Sequence, residues 1–594
     1  MAQLAANLLA LLEAHVDQSP NESFLYYKYS SRYEPLSFNS LYQKVELFSR
    51  NLSALGIGEG DKVGILSTNR PEWVVADLAI MSLKAVVVPL YPTLAAKEIE
   101  HIINHASIQI LVLEDQEMMD KVLSIRKNCA SLKHVVFIKS NVAAVPELCI
   151  AYSKLLSPES QLEVKIPSLK DRIRSIDAEQ LATIIYTSGT TGDPKGVMLT
   201  HRNFLSNVAD VLDAFSISET DSLLSFLPLS HVFERTVGYY TFLAVGGKIY
   251  YARNVKTVID DVVDAKPTIF ISVPRLYEKI QTGVISKLSF LKKILFSLAL
   301  KVGRSAAYGQ PWEDGKEYPF LFRMCQKVIF KKVSDKLGGR IRFFVSGGAP
   351  LANSVFDFFE CMGFPMVEGY GLTETSPVIV GSRLDAPRKS GSVGQVMASQ
   401  KIDVTDDGEL KVKGPNVMLG YYQDEVATKK VIKDGWFYTG DIAEIDDEGY
   451  VFIRDRLKEI IVLSSGKNVA PQPIETMIKN NPFIAQIMLI GDCHSYLTAL
   501  IVPDFEILIK TVPIFKTHAD PHDWVATPQA EAFFAKQLAP YMKDLAPFEQ
   551  IKKFTLIANE FKQESGELTP TLKFKRRVIL KKYAAEIDAM YSES

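Results

Sequence analysis

The protein has 594 residues, 47% of them hydrophobic and 23% charged, with a formal net charge of −2. A chain of that length buries a substantial core, its composition is that of an ordinary globular protein, and near-neutral charge argues against a general nucleic-acid binder. Five scattered cysteines (Cys129, Cys149, Cys325, Cys361, Cys493) form no CxxC pair, so no zinc site or disulfide framework is expected and a reducing cytosol fits best.

Residues 1–20 carry Leu4, Leu8, Leu11, Leu12 and Val16 at helical spacing without a basic leader, which predicts an amphipathic helix and not a signal peptide. No run of 18 apolar residues exists. The best candidate, 74–90, is broken by Asp77 and Lys84 and reads as a buried helix leading into a strand. A cytoplasmic protein with at most peripheral membrane contact is expected. Buried strands are predicted at 63–66, 85–90, 109–113, 134–138, 183–187, 248–251 and 268–272, with helical periodicity between them, as at 97–105 and 203–215. Alternation of this kind implies an α/β body with largely parallel sheets.

Between 275 and 340 the chain holds 14 Lys and Arg against 5 Asp and Glu, an excess of nine (14 − 5). Leu291, Ile294, Leu295, Leu298 and Val302 form an apolar stripe there, flanked by Lys292, Lys293, Lys301 and Arg304. Such a helix either lies on an anionic membrane surface or packs on its own protein. From 391 to 450 short strands at 401–404 and 409–412 flank an Asp-Asp-Gly turn, and a second turn follows at 446–449, which predicts a small antiparallel module. A last unit of helix and paired strands (486–491, 497–503) begins near 455. The expected organisation is a large N-terminal domain, 1–454, and a small α+β domain, 455–594.

The sharpest local signal is Tyr186-Thr187-Ser188-Gly189-Thr190-Thr191-Gly192-Asp193-Pro194-Lys195-Gly196. An apolar run feeds a loop of glycines and hydroxyls that ends in a lysine, and inward-turned N–H groups, hydroxyl donors and a point charge suit a polyphosphate. The spacing is not that of a Walker A loop, since Gly196 stands where Ser or Thr belongs.

This string resembles the phosphate loop of the adenylate-forming (AMP-binding) superfamily, which includes acyl-CoA synthetases, luciferases and peptide-synthetase adenylation domains. Further segments resemble that superfamily's motifs in order: Pro228–His231, Ser346–Pro350, Glu368–Glu374, Tyr438–Asp441, Arg454–Glu459 and Leu572-Lys573. The resemblance covers roughly residues 20–585 and implies the adenylate-forming fold with a mobile C-terminal domain. It implies that Thr187, Ser188, Gly189, Thr190, Thr191, Gly192 and Lys195 hold the phosphates of ATP. Gly347, Gly348, Ala349, Glu368, Gly369, Tyr370, Gly371 and Thr373 would frame the adenine, with the Tyr370 ring stacked on it. Asp441 would accept the ribose hydroxyls and Arg456 would add a fixed cation. Thr187 and Glu374 would hold Mg²⁺, an ion that needs only one or two such oxygens from protein. Lys573 would reach into the site during adenylation, with Lys575 the alternative on the same basic stretch. Leu572 replaces the family's more usual glycine. His231 is either a packed core residue or the edge of the acyl pocket. Lys458 occupies the hinge position, and Gly466, lacking a side chain, would admit the pantetheine arm of coenzyme A.

The 272–339 insertion, together with 467–475, resembles the long-chain fatty acyl-CoA synthetase subgroup. The implied reaction joins a long-chain fatty acid to ATP as acyl-AMP and then to coenzyme A. Two rivals share the first step: a fatty acyl-AMP ligase and an acyl–acyl carrier protein synthetase. Peripheral membrane contact through 288–304 is a further expectation. The motifs leave chain-length preference and oligomeric state open.

Overall fold

The computed structural model describes residues 5–139, 148–157, 165–187, 194–308, 319–457, 459–512, 520–543, 545–569 and 573–592. Two large sheets dominate. The first runs, in spatial order, Gly420–Tyr421, Lys195–Thr200, Leu181–Thr187, Val86–Leu90, Lys62–Leu66, Ile110–Leu113, His134–Phe137 and Cys149–Ala151. Its pairings are parallel except at the Leu181–Thr187/Lys195–Thr200 hairpin and the edge strand beyond it. The second has nine strands and a parallel centre, Lys248–Tyr251, Ser222–Ser225, Ile269–Ser272, Phe343–Ser346 and Met366–Gly371. Central strands covered on both faces can be continuous apolar runs, as Ile110-Leu111-Val112-Leu113 is. The predicted strands are present with ends shifted by no more than two residues, and the α/β class is the one observed.

Helix Pro71–Ser82 is buried almost throughout, with proline at its first position, where no N–H is needed. Its Asp77 is fully buried and pairs with Arg235. Tyr240 donates to the other Asp77 oxygen at 2.9 Å, and Arg235 also donates to Thr183 at 2.9 Å. A buried pair is tolerable only when its remaining polar atoms are satisfied. This one fastens the π-helical turn Glu234–Tyr240 between a core helix and the first sheet. The N-terminal helix is Leu8–Gln18, with Leu8, Leu9, Leu11 and Leu12 in the main core; Leu4 lies outside the described residues.

The small β module is antiparallel throughout: Lys401–Val404, Glu409–Lys413, Trp436–Ile445, Ile432–Lys433 and Val451–Arg456. The last strand carries Asp455 and Arg456 opposite Ile442 and Asp441, so the module's pairing runs to Arg456. The C-terminal unit pairs Ile484–Ile490 with Leu497–Pro503 and adds a parallel strand, Ile551–Leu556, that local pattern did not reveal.

The described part of the insertion is helical: Pro274–Ser286, Phe290–Tyr308, Pro319–Cys325 and a short run to Lys336. In Phe290–Tyr308 the predicted apolar stripe divides. Val302 is buried, and Gly303 lies so close to the helix Asn353–Cys361 that a Cβ would stand 1.7 Å from the Cys361 carbonyl oxygen. Leu291 and Leu295 are instead 72% and 59% exposed, beside Phe290 at 78%. The helix sits on its own protein through Phe296, Ala299, Val302 and Gly303 and leaves the 290–295 end exposed.

Candidate active site

The motif residues gather where the carboxyl ends of the two sheets' parallel strands face each other. Asn69, just past Lys62–Leu66, donates to Ser225 Oγ at 2.9 Å across that gap. In the second sheet Ser272, Ser346 and Glu368 lie in register at the strand ends. Open α/β sheets bind ligands at such ends, where backbone groups and short loops converge.

Met366–Gly371 ends in the Gly369-Tyr370-Gly371 turn, and a Cβ on Gly371 would meet the Pro377 carbonyl oxygen at 1.7 Å, so only glycine fits. The Tyr370 hydroxyl donates to Asp441 Oδ2 at 2.5 Å. Asp441 Oδ1 lies 3.2 Å from Arg456 Nε, because the two residues are opposed across the β module. Burial raises the Asp441 carboxyl above the usual carboxylate range, with Arg456 and the Tyr370 hydrogen bond pulling the other way. The pair-and-phenol arrangement holds a carboxylate at the end of an aromatic ring, a geometry suited to a nucleoside. Gly347 lies against the Phe233 ring, 2.9 Å from where a Cβ would be, and Gly348 takes φ +81°. Ala349 is exposed beside them, and Thr373 opens the short turn Thr373–Thr375. Glu368 is buried, its Oε1 has no hydrogen-bond partner among the described residues, and burial pushes its carboxyl up to about 8.

On the phosphate side, Thr187 ends Leu181–Thr187 and pairs in register with Lys195. Ser188, Gly189, Thr190, Thr191 and Gly192 lie outside the described residues. Lys195 Nζ stands 4.8 Å over the Tyr421 ring, and the Tyr421 hydroxyl donates to Glu374 Oε1 at 2.8 Å. Tyr421 therefore joins the candidate phosphate lysine to the candidate metal carboxylate. Sequence reasoning missed it. The one available signal was an aromatic doublet, Tyr421-Tyr422, placed after Gly420 on the strand that edges the hairpin. Glu374 Oε2 has no hydrogen-bond partner among the described residues.

His231 is half-buried, 6.4 Å from the Tyr91 ring. The Phe233 backbone N–H donates to its Nδ1 at 3.2 Å, which leaves Nε2 to carry the proton. Desolvation, and then the nearby Lys573 ammonium, push its pKa down to about 4, so the ring is neutral at pH 7.

Lys573 comes from the C-terminal unit and enters the field of Arg456, Asp441, Glu459 and Glu374. Crowding by protein, then Arg456, draws its ammonium down to about 8, and the three carboxylates oppose that. Water still reaches this exposed side chain through the open cleft, and solvent screening works against the depression. Lys575 points elsewhere, to Glu98 at 3.4 Å. Glu459, which also meets Arg576 at 3.5 Å, is a second residue that motif reading did not assign to this field. Gly466 is apart from the cleft: it turns the two-stranded ribbon Ile461–Val462/Asn468–Val469 with φ +76° and open space where a side chain would be. Lys458 lies outside the described residues.

Residues 12–422 match the family model "AMP-binding enzyme", and 458–594 match "AMP-binding enzyme C-terminal domain". The chain is 34% identical to "Long chain acyl-CoA synthetase 6, peroxisomal" of Arabidopsis thaliana, over 91% of this chain and 79% of that protein. It is 32% identical to "Long-chain-fatty-acid--CoA ligase FadD15" of Mycobacterium bovis, over 91% of this chain and 90% of the relative. Among solved structures, the anthranilate CoA ligase AuaEII in complex with anthranoyl-AMP superposes with a TM-score of 0.75 at 20% identity, covering 99% of this chain and 98% of that one.

Proposed function

The chain belongs to the AMP-binding enzyme family, and from that premise we propose that it is an AMP-forming long-chain-fatty-acid–CoA ligase. A carboxylate is a poor electrophile, so it must first acquire a better leaving group. The fatty-acid carboxylate attacks the α-phosphorus of ATP, the bond to pyrophosphate breaks, and acyl-AMP results. The coenzyme A thiol then attacks the acyl carbonyl, AMP leaves, and the thioester forms. No general base is needed in the first step, because an acid of pKa ~4–5 is already ionised at neutral pH. A neutral His231 agrees with that requirement. Catalysis rests on positioning and charge neutralisation.

The observation that carries this reading is Lys573, a cation from the C-terminal unit that feels the charges of Arg456, Asp441 and Glu374 on the large one, on a segment tied to the large unit by Lys575 and Glu98 at 3.4 Å. In it, Lys573 and Lys195 neutralise charge on the departing pyrophosphate while Tyr370 and Asp441 hold the nucleoside. Thr187 and the free oxygen of Glu374 fit a Mg²⁺ ion that rides on the phosphates. Among the described residues no group of three or more His, Cys, Asp or Glu forms a cage of its own, and Mg²⁺ taking its other ligands from phosphate and water needs none. When bound, the ion withdraws phosphate charge. The same site then needs different surroundings for the thiol. A rotation of the unit that follows Lys458 would withdraw Lys573 and bring the Gly466 turn toward pantetheine, with Asp455 and Arg456 left behind in the β module. The exposed half of Phe290–Tyr308, with its lysines, is the face we assign to peripheral membrane contact.

The test is AMP release across fatty acids of increasing length, with coenzyme A, with acyl carrier protein, and with neither. Release that needs coenzyme A and rises with chain length is expected. Release that needs the carrier protein instead would move the assignment to the rival acceptor.

A further inference from the structure

Among the described residues, one ion pair joins the C-terminal unit to the large one. Glu98 lies in the first turn of helix Ala96–Ala106. Its Oε2 accepts the Ala95 backbone N–H at 3.0 Å, and its Oε1 lies 3.4 Å from Lys575 Nζ. Both side chains are about a third exposed, at 33% and 27%. A free surface pair loses much of its Coulomb gain to the entropy of fixing two long side chains. Here the capping hydrogen bond has already oriented Glu98, so less freedom is lost when the lysine arrives.

The position of the pair relates it to the chemistry. Lys575 follows Lys573 by two residues, and Phe574 between them bridges Leu568, so the stretch is extended. In extended chain, residues two apart stand roughly 6–7 Å from each other along the backbone. Anchoring Lys575 therefore sets where Lys573 reaches. The segment is held from behind as well: Arg576 donates to Glu475 at 2.6 Å and to the Leu489 carbonyl at 3.0 Å. At the other end of Ala96–Ala106, His105 Nδ1 shares a hydrogen bond of 2.7 Å with the Tyr186 hydroxyl, next to Thr187. One short helix thus touches both the root of the candidate phosphate loop and the segment that presents Lys573.

We propose that Glu98 and Lys575 form an interdomain latch that holds the C-terminal unit in the geometry that inserts Lys573 for adenylation, and that the latch parts when the unit rotates for thioester formation. The proposal rests on the two-step reading above. Both are positioning residues, since neither touches the reacting atoms. Unlike the Asp441–Arg456 pair, which lies within the β module, this pair has a partner on each side of the moving boundary. A rotation must break it, and its strength biases which half-reaction the enzyme is poised for.

The experiment compares Glu98→Gln, Lys575→Ala and the double variant in two assays: fatty-acid-dependent ATP–pyrophosphate exchange, and thioester formation from supplied acyl-AMP and coenzyme A. Glutamine keeps an acceptor for the Ala95 N–H and removes only the charge, so the fold is preserved. Each single variant should slow exchange by about 1.5- to 5-fold at low salt, the range for partly exposed pairs. KM for ATP should be unchanged, the effect should shrink at high salt, and thioester formation should hold or rise. The double variant should be no slower than the worse single one, because both remove the same contact. Equal losses in the two assays, or losses that multiply in the double variant, would overturn the latch. Lys573→Ala in parallel separates the two ideas. If it splits the half-reactions while Glu98→Gln does not, only the latch fails; if Lys573→Ala slows both alike, the two-step reading fails with it.

Discussion

Glu374, proposed above as a Mg²⁺ ligand, is held by a neighbour on one side. One oxygen is occupied by the Tyr421 hydroxyl at 2.8 Å, and that ring in turn lies under Lys195. The carboxylate is thus held by one of its two oxygens. Replacing it by glutamine keeps an acceptor for Tyr421, so stability should hold, but removes the charge that a hard cation requires. For Glu374→Gln we expect adenylation to fall on the order of 100-fold, as when one preorganised electrostatic contact is lost. The Mg²⁺ needed for half-maximal rate should rise. Near-wild-type exchange at limiting Mg²⁺ would remove Glu374 from the metal site and leave Tyr421 holding a purely structural acid.

At the scale of elements, Phe290–Tyr308 has two halves with different partners. The second half is clamped by Gly303 against the Cys361 backbone and by Arg304, which pairs with Asp357. Arg304 is therefore engaged within the protein and contributes little to any membrane. The first half exposes Phe290, Leu291, Ile294 and Leu295, and on the neighbouring helix Phe320 is 76% exposed. Lys292, Lys293 and Lys301 lie along the same helix. Apolar side chains beside near-surface cations, each contributing about 1 kcal/mol with anionic lipid, suit an interfacial helix. Converting those three lysines to glutamate should release the protein from anionic vesicles at low salt, with Arg304 left in place. Wild-type binding should itself weaken as the Debye length falls from ~10 Å at 0.1 M to ~3 Å at 1 M salt. Activity on a short, water-soluble acid should survive. Undiminished co-sedimentation of the variant would refute the tether.

At the scale of the whole molecule the question is how one cleft serves two reactions. In the structure Lys573 of the C-terminal unit lies in the electrostatic field of Arg456, Asp441 and Glu374. In the proposed mechanism the lysine charge matters while pyrophosphate departs and has no task once acyl-AMP exists. Lys573→Ala should therefore cut ATP–pyrophosphate exchange by on the order of 100-fold or more, while thioester formation from supplied acyl-AMP continues. Parallel loss of both activities would make Lys573 a structural residue. Among the described residues no helix is long and apolar enough to cross a membrane.

The sequence by itself determined the α/β class, the positions of the main strands within two residues, the small β module with its Asp-Asp-Gly turn, and the order of the nucleotide motifs. These are local properties: β-branched runs, turn residues and glycines act through neighbours a few positions away, so pattern suffices to read them. The strand Ile551–Leu556 escaped because it is only partly buried along most of its length and shows no clean alternation. Tyr421 escaped because its role depends on Lys195 and Glu374, far from it in the chain. Which of two lysines on one basic stretch enters the cleft was likewise undecidable from pattern, since Lys573 and Lys575 share charge, spacing and surroundings in one dimension. In the structure Glu98 stands opposite Lys575, while Lys573 lies in the field of Asp441 and Glu374. The same holds for Phe290–Tyr308. Periodicity defines an apolar stripe, but only the position of Asn353–Cys361 determines that Val302 is covered and Leu291 is not. Burial and charge pairing are properties of what lies across space, and a linear pattern carries no record of the other side.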